Sequence, residues 1–371
     1  MLKVLSIIGT RPEGIKMAPV LQELARYPDS IHSVICSTGQ HREMLDQVMQ
    51  LFAIVPDIDL NLMQFNQGLA QLTSRLIASL DDVMADVKPD VVLAQGDTTT
   101  VLAASLVSFY RNIKFGHIEA GLRTGDRRRP FPEEINRRIA DVVTDYYFAP
   151  TQLSRAALLI ENIPDKQIFV TGNTVIDALL QVANYPYQWE SGPLRDLPRE
   201  NQFVLITAHR RESFGDQFKE LCLAIRDLAQ EFRVQGYHFV YPVHLNPNVR
   251  TPVNEILSDV SNISLIEPLD YLSLVQLMKR SKLILTDSGG IQEEAPSFGI
   301  PVLVMRDTTE RPEGVNAGVV KLVGTQRSVI TNEARRLLSD PVAYASMANH
   351  ANPYGDGQAS QRIVSALLES H

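Results

Sequence analysis

Residues 4–27 read VLSIIGTRPEGIKMAPVLQELARY. An apolar run, Val4–Ile8, passes through a Gly-Thr-Arg-Pro turn into a stretch with apolar residues at helical spacing. That is strand, turn and helix, the opening of a β-α unit. Nucleotide-binding folds place a phosphate loop at such a turn, yet this one is neither the Gly-x-Gly-x-x-Gly turn nor the Walker loop. Arg11 offers a planar fork suited to two phosphate oxygens, and Lys16 a point charge at the start of the helix. A helix start with two solvated cations explains the same letters equally well.

The unit recurs along the chain. SVICS, VVLAQ, KFGHI, YYFAP and IFVTG are short, β-branched or aromatic runs separated by helix-like segments. Strands apolar on both faces, alternating with helices, predict an α/β fold with a parallel sheet. The alternation breaks at residues 184–201, NYPYQWESGPLRDLPREN, whose prolines and glycine read as a linker. It restarts with FVLITA, HFVYPV, ISLIE, LILTD and PVLVM. The expectation is two Rossmann-like doubly wound domains facing across a cleft.

The chain has 371 residues, 44% of them hydrophobic, which suits two domains. A net charge of −8 argues against general affinity for nucleic acid, so an anion site must be built locally. There is no apolar run of about 18 residues to span a membrane, and the N-terminus reads as a buried strand rather than a cleavable leader. Cys36 and Cys222 lie in apolar contexts and fit structural thiols in a reducing, cytoplasmic setting. The histidines lack metal-ligand spacing, so no metal is expected.

In parallel sheets the polar residues just after apolar runs deserve inspection. Asp97, in QGDTTT, ends one run, where a helix cap is the alternative use. Glu119, in HIEAGLRTGD, ends another. A carboxylate there is expensive unless paired or functional. Glu133 and Glu134, in PFPEEINRR, sit in a first helical turn, where acids also suit the helix dipole. His209, in TAHRRES, ends the first strand of the second half beside Arg210 and Arg211, and HFVYPVHLNP ends in His244. In TDSGGIQEE, Ser288, Gly289 and Gly290 form a turn whose backbone N–H groups can cradle a diphosphate. Glu293 and Glu294 follow, able to accept ribose hydroxyls, and Arg311 adds a cation.

GTRPEGIK, GQHREML, QGDTTT, HIEAGLRTGD, PFPEEINR, TAHRRESFG and TDSGGIQEEAPSFGIPVLVMRDTTERPE, in this order from residue 9 to residue 313, resemble the non-hydrolysing UDP-N-acetylglucosamine 2-epimerase family. The resemblance implies the GT-B arrangement of two Rossmann-like domains. The first would hold residues 1–172 joined by a C-terminal helix, 356–371, and the second residues 173–355.

It also implies reversible C2 epimerisation of UDP-GlcNAc to UDP-ManNAc, by anti elimination of UDP and re-addition through 2-acetamidoglucal, with no cofactor. The product would supply a cell-surface polysaccharide. By position, Asp97, Glu119, Glu133 and His209 match the catalytic set. Arg11, Lys16, Ser288, Gly289, Gly290, Glu294 and Arg311 match contacts to UDP. Leu269 and Leu274, in EPLDYLSLV, stand where a Gln and an aromatic are expected.

Gln40, Glu43, Gln67, Arg210 and His244 match a second UDP-GlcNAc site that activates many bacterial members, with Asn66 where some carry Arg. A homodimer is implied. The alternatives are a hydrolysing 2-epimerase releasing ManNAc and UDP, or an epimerase of a related diacetamido sugar nucleotide. The letters GTRPEG point away from the latter. A glycosyltransferase of the same architecture would need an acceptor site, and none is legible.

Overall fold

The computed structural model describes residues 1–39, 42–62 and 67–370. They form two compact units, Met1–Ala178 with Tyr354–His371, and Leu179–Pro353. Both are doubly wound α/β folds, as the alternation predicts.

The first unit holds seven parallel strands. They are β1 (Leu2–Ile8), β2 (Ile31–Ser37), β3 (Ile58–Asp59), β4 (Val91–Gln95), β5 (Lys114–Ile118), β6 (Tyr146–Ala149) and β7 (Ile168–Val170). Their order is β3-β2-β1-β4-β5-β6-β7. Strand β1 shows why these residues fold so. Leu2, Val4 and Ile8 enter one core with Met17, Val20 and Leu24, while Leu5 and Ile7 enter another with Leu76, Leu80 and Val101. A strand with period-two side chains and two apolar faces belongs between two helical layers.

The helix Ala359–Glu369 closes the first core with Ile363, Val364 and Leu367. Its start is held by a residue from the middle of the chain. The Asp177 carboxylate accepts Ala359 N at 3.1 Å, Ser360 N at 2.8 Å and Ser360 Oγ at 2.5 Å. The two N–H groups are backbone donors that the helix itself leaves unsatisfied.

The second unit holds β8 (Gln202–Thr207), β9 (Tyr237–Pro242), β10 (Ile263–Ile266), β11 (Ser281–Thr286), β12 (Val302–Val304) and β13 (Val320–Leu322). Their order is β10-β9-β8-β11-β12-β13. Residues 184–201, expected to be a linker, pack onto this unit instead. Trp189 stacks on Phe203 with ring centroids 6.4 Å apart, the Arg280 guanidinium lies 4.5 Å over the Trp189 ring, and Leu194 and Leu197 are buried. Three prolines dominate the letters of this stretch, whereas its anchors are single residues.

Each sheet reverses its strand order once, between β1 and β4 in the first unit and between β8 and β11 in the second. In open parallel sheets the crevice for a ligand lies at that reversal, beyond the carboxyl ends of the strands. The chain segments that leave these strands, each a loop running into a helix start, carry residues 9–16 and 96–98 in one unit, and 208–211 and 287–290 in the other. Among the described residues no helix is long and apolar enough to cross a membrane.

Candidate active site

In the first unit the site is organised around Glu119. This residue leaves β5 with φ +72°, a left-handed conformation costly for a side chain with a Cβ. Two backbone donors hold it there, Glu119 N and Ala120 N, both bonded to Phe148 O at 3.0 and 3.2 Å. Its carboxylate is buried. Oε1 accepts from Lys16 Nζ at 2.6 Å and from Asn173 Nδ2 at 3.1 Å, and Oε2 accepts from Gln95 Nε2. A buried carboxylate in strained backbone, with donors from three other parts of the chain, is arranged for more than packing.

Asp97 lies one strand away, after β4. Its carboxylate pairs with Arg137, and its backbone carbonyl accepts from Asn136 Nδ2 at 3.0 Å. Both partners come from the helix Glu133–Val142. Glu133 stands one turn before Arg137, on the same helical face, and its side chain makes no hydrogen bond among the described residues. Glu134 is different. It is fully buried, and its carboxylate ties down the preceding loop by accepting Thr124 N at 3.1 Å and Gly125 N at 3.3 Å. The two adjacent acids of the sequence therefore separate into a structural one and an accessible one.

Arg11 opens the first helix, Arg11–Leu24, and is partly exposed. Lys16 is committed to Glu119. Between them Glu13 is buried and links two loops. Its Oε2 accepts Gly9 N and Thr10 N, both at 2.7 Å, and its Oε1 accepts from the Thr98 hydroxyl. Burial pushes its pKa up to about 7 against those hydrogen bonds.

In the second unit Asp287 plays the organising part. It is fully buried at the end of β11, and its Oδ2 accepts His209 N at 2.6 Å and Arg210 N at 2.7 Å. Its Oδ1 has no hydrogen-bond partner and faces His209 Nδ1 at 3.6 Å. The His209 ring stacks on His244, centroids 5.3 Å apart and planes 9° apart. Burial lowers the His209 pKa, His244 and Arg210 add to the effect, and Asp287 opposes it.

Arg210 and Arg311 converge on the Ser288-Gly289-Gly290 turn. A Cβ on Gly289 would sit 3.9 Å from Nη2 of each. Two guanidiniums beside a turn with backbone donors make an anion site. Arg311 is also bonded to Glu293, and the Tyr271 hydroxyl donates to Glu294 Oε2 at 2.8 Å.

The sequence model of the UDP-N-acetylglucosamine 2-epimerase family matches residues 22–368. The chain belongs to this family. It is 54% identical over 381 residues to the UDP-N-acetylglucosamine 2-epimerase of Escherichia coli K12, covering 99% of this chain and 98% of that one. The solved UDP-GlcNAc 2-epimerase of Neisseria meningitidis bound to UDP-GlcNAc is similar with TM-score 0.88 and 51% identity, covering 99% of this chain and 100% of that chain. A putative UDP-N-acetylglucosamine 2-epimerase from Listeria monocytogenes is similar with TM-score 0.93 and 45% identity, covering 100% of this chain and 96% of that chain.

Of the residues that the motifs of this epimerase family pick out, the first unit groups Lys16 with Glu119, and sets Asp97 beside the helix bearing Glu133. The second unit groups His209, Arg210, His244, Ser288, Gly289, Gly290 and Arg311. Leu269 is buried, and Leu274 half-buried on the helix Tyr271–Lys279. Gln67 is bonded to Arg75. Gln40 and Asn66 lie outside the described residues, as does the side chain of Glu43.

Sequence reasoning gives no role to Glu13, Arg137, Asn173, Asp287 or Tyr271. Asn173 and Asp287 follow apolar strands, the signal that picked out Glu119. Tyr271 supplies an aromatic in the same segment, at the start of the helix that carries Leu274. Arg137 carries no signal in the letters.

Proposed function

We propose that this chain interconverts UDP-GlcNAc and UDP-ManNAc without hydrolysis. The observation that carries the reading is Glu119, a buried carboxylate in strained backbone, held by Lys16, Gln95 and Asn173 and one strand from Asp97. Proton transfer at a carbon flanked by no carbonyl needs placed acid–base groups and a way to discharge the electron pair.

In the proposed reaction a carboxylate takes the C2 proton. The C2–H electrons form the C1=C2 bond, the C1–O bond breaks, and UDP departs. UDP then adds back to C1 while a proton reaches C2 on the opposite face. Asp97 and Glu119 transfer the protons, with Glu133 as a third acid. The leaving diphosphate gains charge, and Arg210, Arg311 and the backbone donors of Ser288, Gly289 and Gly290 stabilise it. His209, with its lowered pKa, is a neutral hydrogen-bond partner to the same group. Arg11 adds a further cation, Glu294 with Tyr271 holds the ribose, and Leu269 and Leu274 border the base.

The stacking of His209 on His244, and the place of Arg210 beside Gly289, favour substrate activation. A second UDP-GlcNAc contacting Arg210, His244, Gln40, Glu43 and Gln67 would touch the groups that bind the diphosphate. No cofactor is required, and the product serves a cell-surface polysaccharide.

Incubation with UDP-GlcNAc followed by proton NMR tests the reading. UDP-ManNAc at equilibrium with UDP-GlcNAc supports it. Free ManNAc and UDP would assign the hydrolysing reaction, and an unchanged spectrum would refute both.

A further inference from the structure

Below the loops of Asp97 and Glu119 lies a buried charged cluster that the proposed chemistry does not use. His117, on β5, is fully buried. Its Nδ1 lies 2.6 Å from Asp141 Oδ1, and its Nε2 lies 2.6 Å from the carbonyl oxygen of Gly96. A carboxylate and a carbonyl only accept. A neutral imidazole has one N–H, and its bare nitrogen would face an oxygen at contact distance. Both nitrogens must therefore donate, and the ring is an imidazolium. Burial disfavours that charge, but the Asp141 carboxylate and the Gly96 carbonyl outweigh it and hold the His117 pKa above its ordinary value.

The other oxygen of Asp141 continues the chain of contacts. It accepts Gly121 N at 3.2 Å and Arg123 Nη2 at 2.7 Å. Arg123 also donates to Glu161 at 2.8 and 2.7 Å, and the Tyr147 hydroxyl donates to the Asp141 carbonyl at 2.6 Å. One end of the cluster thus grips the residue before Asp97, and the other grips the residue two after Glu119. Both gripped residues are glycines in left-handed backbone, Gly96 at φ +86° and Gly121 at φ +85°. At Gly121 a Cβ would lie 2.4 Å from Ser154 O, so this position has no room for a side chain.

We propose that His117 is a positioning residue which, with Asp141, fixes the separation of the two loops carrying Asp97 and Glu119. It is not a catalytic residue, since both ring nitrogens are committed and the side chain is sealed from any substrate. The inference rests on reading Asp97 and Glu119 as the proton-transfer pair. Placement of reacting groups is worth much, and a shift of about 1 Å can lower a rate about 100-fold.

Nitrogen-15 NMR of the full chain with labelled histidine tests the state of His117, its signal assigned by loss in His117→Gln or by its shift in Asp141→Asn. Two protonated ring nitrogens, persisting above the pH at which an ordinary imidazole loses its proton, are expected from the imidazolium geometry. Kinetics test the consequence. Asp141→Asn should lower kcat about 100-fold with KM and UDP affinity little changed. It should also give kcat a new decline as pH rises through neutrality, because His117 then loses its proton. A uniform fall of kcat with the wild-type pH profile would mark a merely structural role and overturn the proposal. So would a neutral His117, or full kcat in Asp141→Asn. A wild-type chain inactive on UDP-GlcNAc would instead overturn the functional reading and leave the NMR result standing.

Discussion

Lys16 Nζ sits 2.6 Å from Glu119 Oε1, an ion pair closed over 103 residues of sequence. Both side chains are largely buried, at 13% and 6% exposure. The phosphate-loop lysine of the sequence is therefore first a partner for the strained carboxylate. Removing one member of such a pair strands the other charge in a poorly solvated place. Lys16→Met is expected to cost about 3 kcal/mol of stability, read by chemical denaturation. Adding Glu119→Gln should return a large part of that loss. A double variant no more stable than Lys16→Met would show that the pair is not what holds the loop.

Glu13 predicts a pH dependence. Its pKa in the fold is about 7, above its ordinary 4.5. Between those values the native state binds more proton than the unfolded chain, so stability from this group is present at low pH and lost as pH rises towards 7. The slope is at most about 1.4 kcal/mol per pH unit for one proton. In Glu13→Gln this slope should vanish, so the variant gains on the wild type between pH 5 and 7. Denaturation midpoints at three pH values check the sign.

How much of this was legible in the letters follows from the range of the interactions. The two doubly wound units were legible because each strand carries its own apolar run, as β1 does for both faces of its sheet. Asp97, Glu119, His209 and the Ser288-Gly289-Gly290 turn were legible because a polar group just after a buried strand is a local signal. Lys16 as the partner of Glu119, Arg137 as the partner of Asp97, and Asp177 as the clamp of the last helix are contacts over long separations. No spacing announces them. The split between Glu133 and Glu134 was hidden for another reason. Which of two adjacent helical residues faces inward depends on the loop the helix packs against.

The anion site predicts an effect of Gly289→Ala. The added methyl meets ordinary van der Waals distances to Arg210 and Arg311, so the fold should be unaffected. It would nevertheless occupy the space that an anion needs. UDP affinity is expected to fall about tenfold, or about 1.4 kcal/mol, by calorimetry. Unchanged affinity would move the diphosphate away from this turn.

The stacked histidines predict opposite pKa changes. Asp287 raises the His209 pKa, whereas His244 lowers it. In His244→Ala the His209 ring should titrate at higher pH than in the wild type. In Asp287→Asn it should titrate at lower pH, since the opposing carboxylate charge is gone. Proton NMR of the ring signals reads both, and a shift of the same sign in the two variants would contradict the geometry.

The most direct test of the central claim is the fate of the C2 proton. The wild-type chain is incubated with UDP-GlcNAc in deuterium oxide beside Asp97→Asn and Glu119→Gln. The account predicts UDP-ManNAc carrying deuterium at C2 from the wild type, and exchange reduced by orders of magnitude in both variants while UDP still binds. UDP-ManNAc that retains its original proton, or full exchange in both variants, would contradict it.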